Sequence, residues 1–119
     1  MIGALIFIGD ELISGAIDNT NSVLAGRMLI SYGFEIGEIV TLPDKIEIIS
    51  KCLKNLIKKY QFLIICGGLG PTDDDLTNLA VAKAFNLELK ENKDILFAIY
   101  SAKEYKGSQE IAKKMALLP

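Results

Sequence analysis

Eleven consecutive residues carry the densest chemistry in this chain: Gly67-Gly68-Leu69-Gly70-Pro71-Thr72-Asp73-Asp74-Asp75-Leu76-Thr77. They follow the apolar run Gln61-Phe62-Leu63-Ile64-Ile65-Cys66 and lead into a helical stretch read from Asp75 to Phe85. A glycine-rich turn between strand and helix lets main-chain N–H groups approach a ligand, and a helix start adds partial positive charge. That outline suits an anion. Three successive carboxylates beside it would repel bare phosphate, unless a divalent cation stands between them and the phosphate oxygens. On spacing alone the signal for such a site is weak. There is no G-x-x-x-x-G-K-[ST] loop, and Asp73 stands where a dinucleotide fingerprint wants its third glycine.

Two other polar clusters follow apolar runs. Gly9-Asp10-Glu11 leads through Ser14 and Gly15 to Asp18-Asn19-Thr20-Asn21, and Pro43-Asp44 stands alone. Each has a structural alternative. Asp44 with Glu47 matches a capping box. Asn19, Thr20 and Asn21 read equally well as a helix cap. Asp10 suits a turn, and acids at Asp73 to Asp75 suit a helix start, although three exceed what one cap requires. Glu11 is harder to explain as a cap than the others, because no helix clearly begins there. The chain has no histidine, which removes Ser-His-Asp and Cys-His nucleophiles and His-ligated metals. Chemistry falls to carboxylates, hydroxyls, amides, Lys/Arg or a hard oxygen-bound cation.

The elements that must position these residues alternate. Strands are read at Gly3 to Ile8, Phe34 to Thr41 and Phe62 to Cys66. Helices are read at Asn21 to Tyr32, Asp44 to Tyr60 and Asp75 to Phe85. Two more follow, Lys93 to Tyr105 and Ser108 to Leu117, with Leu87-Glu88-Leu89 ambiguous between them. Ile46, Ile49, Leu53, Leu56, Ile57 and Tyr60 recur at helical spacing. Phe62 to Cys66 is uninterruptedly apolar, as expected of a strand buried on both faces, and Cys66 is expected to be buried with it. Alternation of this kind predicts right-handed crossovers and a parallel sheet, with ligands beyond the carboxyl ends of its strands. All three polar clusters then share one rim. Three strands are few, so the chain reads as a domain truncated before its last strands, or one whose sheet edge a partner covers.

At 119 residues, half of them hydrophobic, the chain reads as a single domain, 1–119. The apolar start lacks a basic leader and no apolar run reaches the ~18 residues of a membrane span, so a cytoplasmic protein without membrane contact is expected. Thirteen Lys/Arg against 15 Asp/Glu, with no long basic run, leave no footprint for nucleic acid. Cys52 and Cys66 have no metal-ligand spacing.

These residues resemble the amino-terminal domain of the CinA (competence/damage-inducible) family, within the molybdopterin-binding, molybdenum-cofactor-biosynthesis superfamily. The matching stretches are Gly9-Asp10-Glu11-Leu12 with Gly15 and Asp18 to Asn21, Pro43-Asp44, Gly67 through Thr77, and Ala116-Leu117-Leu118-Pro119. Leu69 stands where cofactor-synthesis relatives usually carry Thr, which favours the CinA-like branch.

The resemblance implies a three-layer α/β/α fold with a mostly parallel sheet, continuing in relatives through two further strands. It also implies metal-dependent hydrolysis of ADP-ribose to AMP and ribose 5-phosphate, or, in the cousins, molybdopterin binding and adenylylation. A non-catalytic nucleotide-binding module is a third possibility. By motif, the important acids are Asp44 and Asp75, expected to be catalytic. Gly67, Gly68, Leu69, Gly70, Pro71, Thr72, Thr77 and Asn21 are expected to bind a small phosphorylated ligand. Asp75, Asp74, Asp44 and Glu11 are expected to hold a divalent metal (Mg, Mn or Co). Relatives self-associate, so a homo-oligomer is expected.

Overall fold

The computed structural model describes residues 1–102 and 105–119. Three parallel strands form the sheet: β1 (Ile2–Ile8), β2 (Glu35–Leu42) and β3 (Phe62–Cys66), in the spatial order β2-β1-β3. The order puts β1 in the middle. Its sequence is apolar on both sides of the pleat, and Ala4, Leu5 and Ile6 are wholly withdrawn from water. Ile6 faces Val40 on one side and Ile65 on the other.

β1 is followed by a single turn of helix, α1 (Asp10–Ile13), with Asp10 and Glu11 in that turn. A helix therefore does begin beside Glu11, contrary to expectation; with four residues it is too short to leave a periodic signal. The crossover to β2 is α2 (Thr20–Ser31). The Asn19 side chain caps it by accepting from the Ser22 amide at 3.2 Å. Past its end, Gly33 reverses the chain at φ 85°.

The crossover to β3 is α3 (Ile46–Leu56), shorter at both ends than the periodicity suggests. The expected capping box does not form. Lys45 occupies the cap position without a side-chain bond, Asp44 is engaged elsewhere, and Glu47 pairs with Lys83 of α4 (Thr77–Phe85). α3 lays Ile49, Leu53 and Leu56 against Ala4, Ile6 and Ile8 of β1, and α4 adds Ala80 and Ala84 to the same cluster. Burying each of the larger side chains contributes about 1.5–3 kcal/mol, and on the other face of β1 Leu5 and Phe7 are buried as deeply.

β3 departs from expectation. Every residue in it, Cys66 included, is half-buried. The apolar run is that of an inner strand, but β3 lies at the sheet edge. After α4, which ends on the left-handed Asn86, come β4 (Lys90–Glu91) and α5 (Lys93–Ser101). Then follow α6 (Gln109–Met115), capped by Ser108 as the sequence indicates, and β5 (Leu117–Leu118). The part of the expected helix beyond Ser101 that spans Lys103 and Glu104 lies outside the described residues. β4 and β5 pair antiparallel as a separate ribbon, Lys90 opposite Leu118. The Asn78 side chain of α4 donates to the Leu117 carbonyl at 3.0 Å. That bond brings the carboxyl-terminal segment back beside the glycine loop.

Candidate functional site

The three parallel strands end together, and the connections leaving them form one lip. At the first two ends, the Asp10 amide donates to Asp44 Oδ2 and the Asp44 amide donates to Asp10 Oδ1, both at 3.0 Å. This reciprocal clasp fastens the loop after β1 to the loop after β2. Below it the Gly9 amide donates to the Leu42 carbonyl at 2.9 Å. Asp44 sits among acids. Burial pushes its carboxyl up, the Asp10 amide pulls it down, and the charges of Asp10, Glu11 and Asp74 push it up again; the net direction is upward.

The third end is built differently. Gly67 and Gly68 turn at φ 96° and 68°. A side chain on Gly67 would strike the Ile8 carbonyl, and one on Gly68 would strike the Thr77 hydroxyl. The turn is thus restricted to glycine by conformation and by space. Thr77, expected to contact ligand, is instead 2% exposed, and its hydroxyl donates to the Gly67 carbonyl at 2.6 Å. Its amide donates to Gly68 O. Thr77 braces the loop from behind.

Asp75 does not open α4, which starts at Thr77. Its carboxylate folds back into the loop. Oδ2 accepts from the Thr72 amide at 2.9 Å and from the Thr72 hydroxyl at 2.8 Å. Burial alone would raise this carboxyl. The Thr72 hydroxyl and amide, the Gly70 amide and the Lys114 cation outweigh it and hold Asp75 below the usual carboxylate range. The loop's cradle of donors, expected to take a ligand's phosphate at Gly70 and Thr72, is already turned toward an internal anion.

An open cleft of about 160 Å³ lies against this loop. Leu69, Leu79, Leu89 and Leu117 form its apolar walls, and Gly68, Gly70, Asp75, Asn78 and Lys114 supply polar edges. Of the sequence-selected residues, the cleft gathers Gly68, Leu69, Gly70 and Asp75. Pro71 and Thr72 border it through their carbonyls, which accept from Lys114. Asn21 is an exposed residue of α2's first turn, away from the cleft lining. Asn78, Lys114, Leu89 and Leu117 are not among the residues that sequence reasoning selects. Lys114 ends a short helix with no motif around it, and the β4–β5 pairing and the Asn78–Leu117 bond bring it here. The one sequence signal is the resemblance at Ala116 to Pro119.

The four acids expected to share a cation are divided between these environments. Asp44 is influenced by Asp10, Glu11 and Asp74, whereas Asp75 is held by Thr72 and biased by Lys114. Among the described residues no three His, Cys, Asp or Glu side chains are gathered to hold a metal ion. The donor set present therefore does not by itself fit a divalent cation. Among the same residues no helix is long and apolar enough to cross a membrane.

Comparison with known proteins agrees with this architecture. The family model described as "Probable molybdopterin binding domain" matches residues 4–119. A CinA-like protein of Desulfotalea psychrophila is 47% identical over 92 residues, 77% of this chain and 22% of the relative. A CinA-like protein of Thermotoga maritima is 43% identical over 96 residues, 81% of this chain and 24% of the relative. The crystal structure of CinA from Thermoplasma acidophilum, a protein of unknown function, superposes with a TM-score of 0.86 at 27% identity, covering 100% of this chain and 71% of that one. The molybdopterin biosynthesis enzyme MoaB of Thermus thermophilus superposes with a TM-score of 0.71 at 17% identity, covering 94% of this chain and 70% of that one; this is a likeness of fold alone. The chain spans about a quarter of the length of these two curated relatives.

Proposed function

The chain belongs to the probable molybdopterin-binding domain family, as a CinA-like member, and from that premise we propose that its cleft binds a phosphorylated pterin of the molybdopterin class. The supporting observation is the composition of the cleft. Four leucines in its lining suit a flat heteroaromatic ring. Asn78, whose amide nitrogen is committed to Leu117, keeps its carbonyl oxygen as an acceptor for ring N–H groups. Gly68 and Lys114 in the same lining offer an amide and a cation to a phosphate. Apolar walls with a few convergent polar groups are the usual make-up of a small-molecule site. The test is a calorimetric titration with molybdopterin against ADP-ribose. Saturable binding of the pterin, with ADP-ribose at least ~10-fold weaker, supports this reading; the reverse order removes it.

A second reading, hydrolysis of ADP-ribose to AMP and ribose 5-phosphate, draws on Asp44. Its raised carboxyl at the lip is the better general base of the two aspartates, since the stronger base has the higher pKa. AMP release from ADP-ribose in the presence of Mg²⁺, Mn²⁺ or Co²⁺ would favour this reading. A homo-oligomer is also part of the proposal. Among the described residues β2 and β3 form the edges of the sheet, and Val23, Leu24, Met28 and Ile30 of α2 are exposed apolar residues suited to self-association.

A further inference from the structure

The acids fail to assemble a cation site, yet a positive charge is already present at the loop. Lys114 Nζ donates to the Pro71 carbonyl at 3.1 Å and to the Thr72 carbonyl. It is close enough to bias the Asp75 carboxylate. Carbonyl oxygens are among the ligands a hard cation seeks, and here an ammonium has taken two of them. An ammonium carries three donors. Two are spent on the loop, and one remains on a half-buried side chain that lines the cleft beside Gly68 and Asn78. The placement is fixed from both ends of the segment. Ala112 and Ala116, flanking Lys114 on α6 and just beyond it, are fully buried, and Asn78 ties down Leu117.

Resting on the reading that the cleft takes a phosphorylated ligand, we infer that Lys114 is its anion-binding residue: two N–H groups hold the glycine loop and the third receives a phosphate oxygen, so the phosphate is bound without a divalent cation. The internal carboxylate of Asp75 keeps the ammonium at the loop when the cleft is empty, and the incoming phosphate adds a second, stronger charge partner.

The experiment is an NMR titration of the full chain with inorganic pyrophosphate, in EDTA and then in Mg²⁺. It follows the Lys114 side-chain signal and the Gly68 amide. Both should move and saturate together, at the same concentration in EDTA as in Mg²⁺. Lys114→Met should weaken binding by ~10-fold or more, as loss of a charge-assisted bond would. Lys114→Arg should restore most of it, and Lys113→Met, on an exposed neighbour, should change nothing. Equal Gly68 titrations in wild type and Lys114→Met would overturn the role of Lys114 while leaving the cleft standing. Loss of the response in EDTA would overturn metal independence. A cleft that is silent in the wild type would overturn both readings. If Lys114→Met fails to fold, the wild-type Lys114 signal decides: Gly68 moving while Lys114 stays still overturns the inference.

Discussion

Asp44 and Asp75 stand beyond the two outer strands of the sheet, either side of β1, and differ in nearly every physical respect. Asp44 follows β2, is clasped to Asp10, and lies among acids that raise its carboxyl. Asp75 follows β3, is held by the donors of Thr72 and biased by Lys114, and is lowered. One residue type is thereby turned into a carboxylate raised above its ordinary value and one held below it. Proximity along a shared lip does not make two acids partners. What matters is whether donors or other acids face each one.

The difference can be broken most severely from the backbone beneath Asp75. Gly67→Ala forces a side chain into the Ile8 carbonyl at φ 96°, and should cost about 3 kcal/mol in urea denaturation. A loss below about 1 kcal/mol would show that the loop adapts more freely than its geometry indicates. Asp75→Ala comes next. It strips the acceptor from the Thr72 amide and hydroxyl, and should cost about 2 kcal/mol while loosening Lys114. Asp44→Asn should be close to neutral, within about 0.5 kcal/mol or slightly stabilising, because it removes like-charge repulsion and keeps an oxygen for the Asp10 amide. Should Asp44→Asn prove the more damaging of the two, the division between the sites is wrong.

Acid titration sharpens the same contrast without substitutions. The folded value of Asp75 lies below its ordinary 3.8. Its contribution is therefore fully present above that ordinary value and is lost as pH falls through the lower folded one. For Asp44 the folded value lies above 3.8. Its charge penalises the fold above the raised value, and the penalty is relieved as pH falls through it. Carboxyl-carbon NMR should accordingly give midpoints on opposite sides of 3.8. Midpoints in the opposite order would contradict the assigned environments.

Much of the frame is legible in the sequence itself. The apolar run of β1, the periodicity of Ile49, Leu53 and Leu56, and the caps at Asn19 and Ser108 are local signals, and the structure keeps them. The rest depended on non-local facts. An apolar strand such as β3 reads as central whether its second neighbour exists or not. A run of three aspartates reads as one cluster, although folding turns Asp75 into the loop and leaves Asp74 to influence Asp44. Lys114 lies far beyond Asp75 in the sequence and reaches the loop because β5 pairs with β4 and Asn78 holds Leu117. No periodicity or spacing announces such a return.

The most direct test of the central claim is an amide-resolved titration of the chain with molybdopterin. Binding in the cleft between the loop and the returning segment predicts saturable shifts at Gly68, Leu69, Asn78 and Leu117, with Asp10 and Asp44 little changed. Shifts confined to Asp10 and Asp44, or none at any of these six residues, would contradict it.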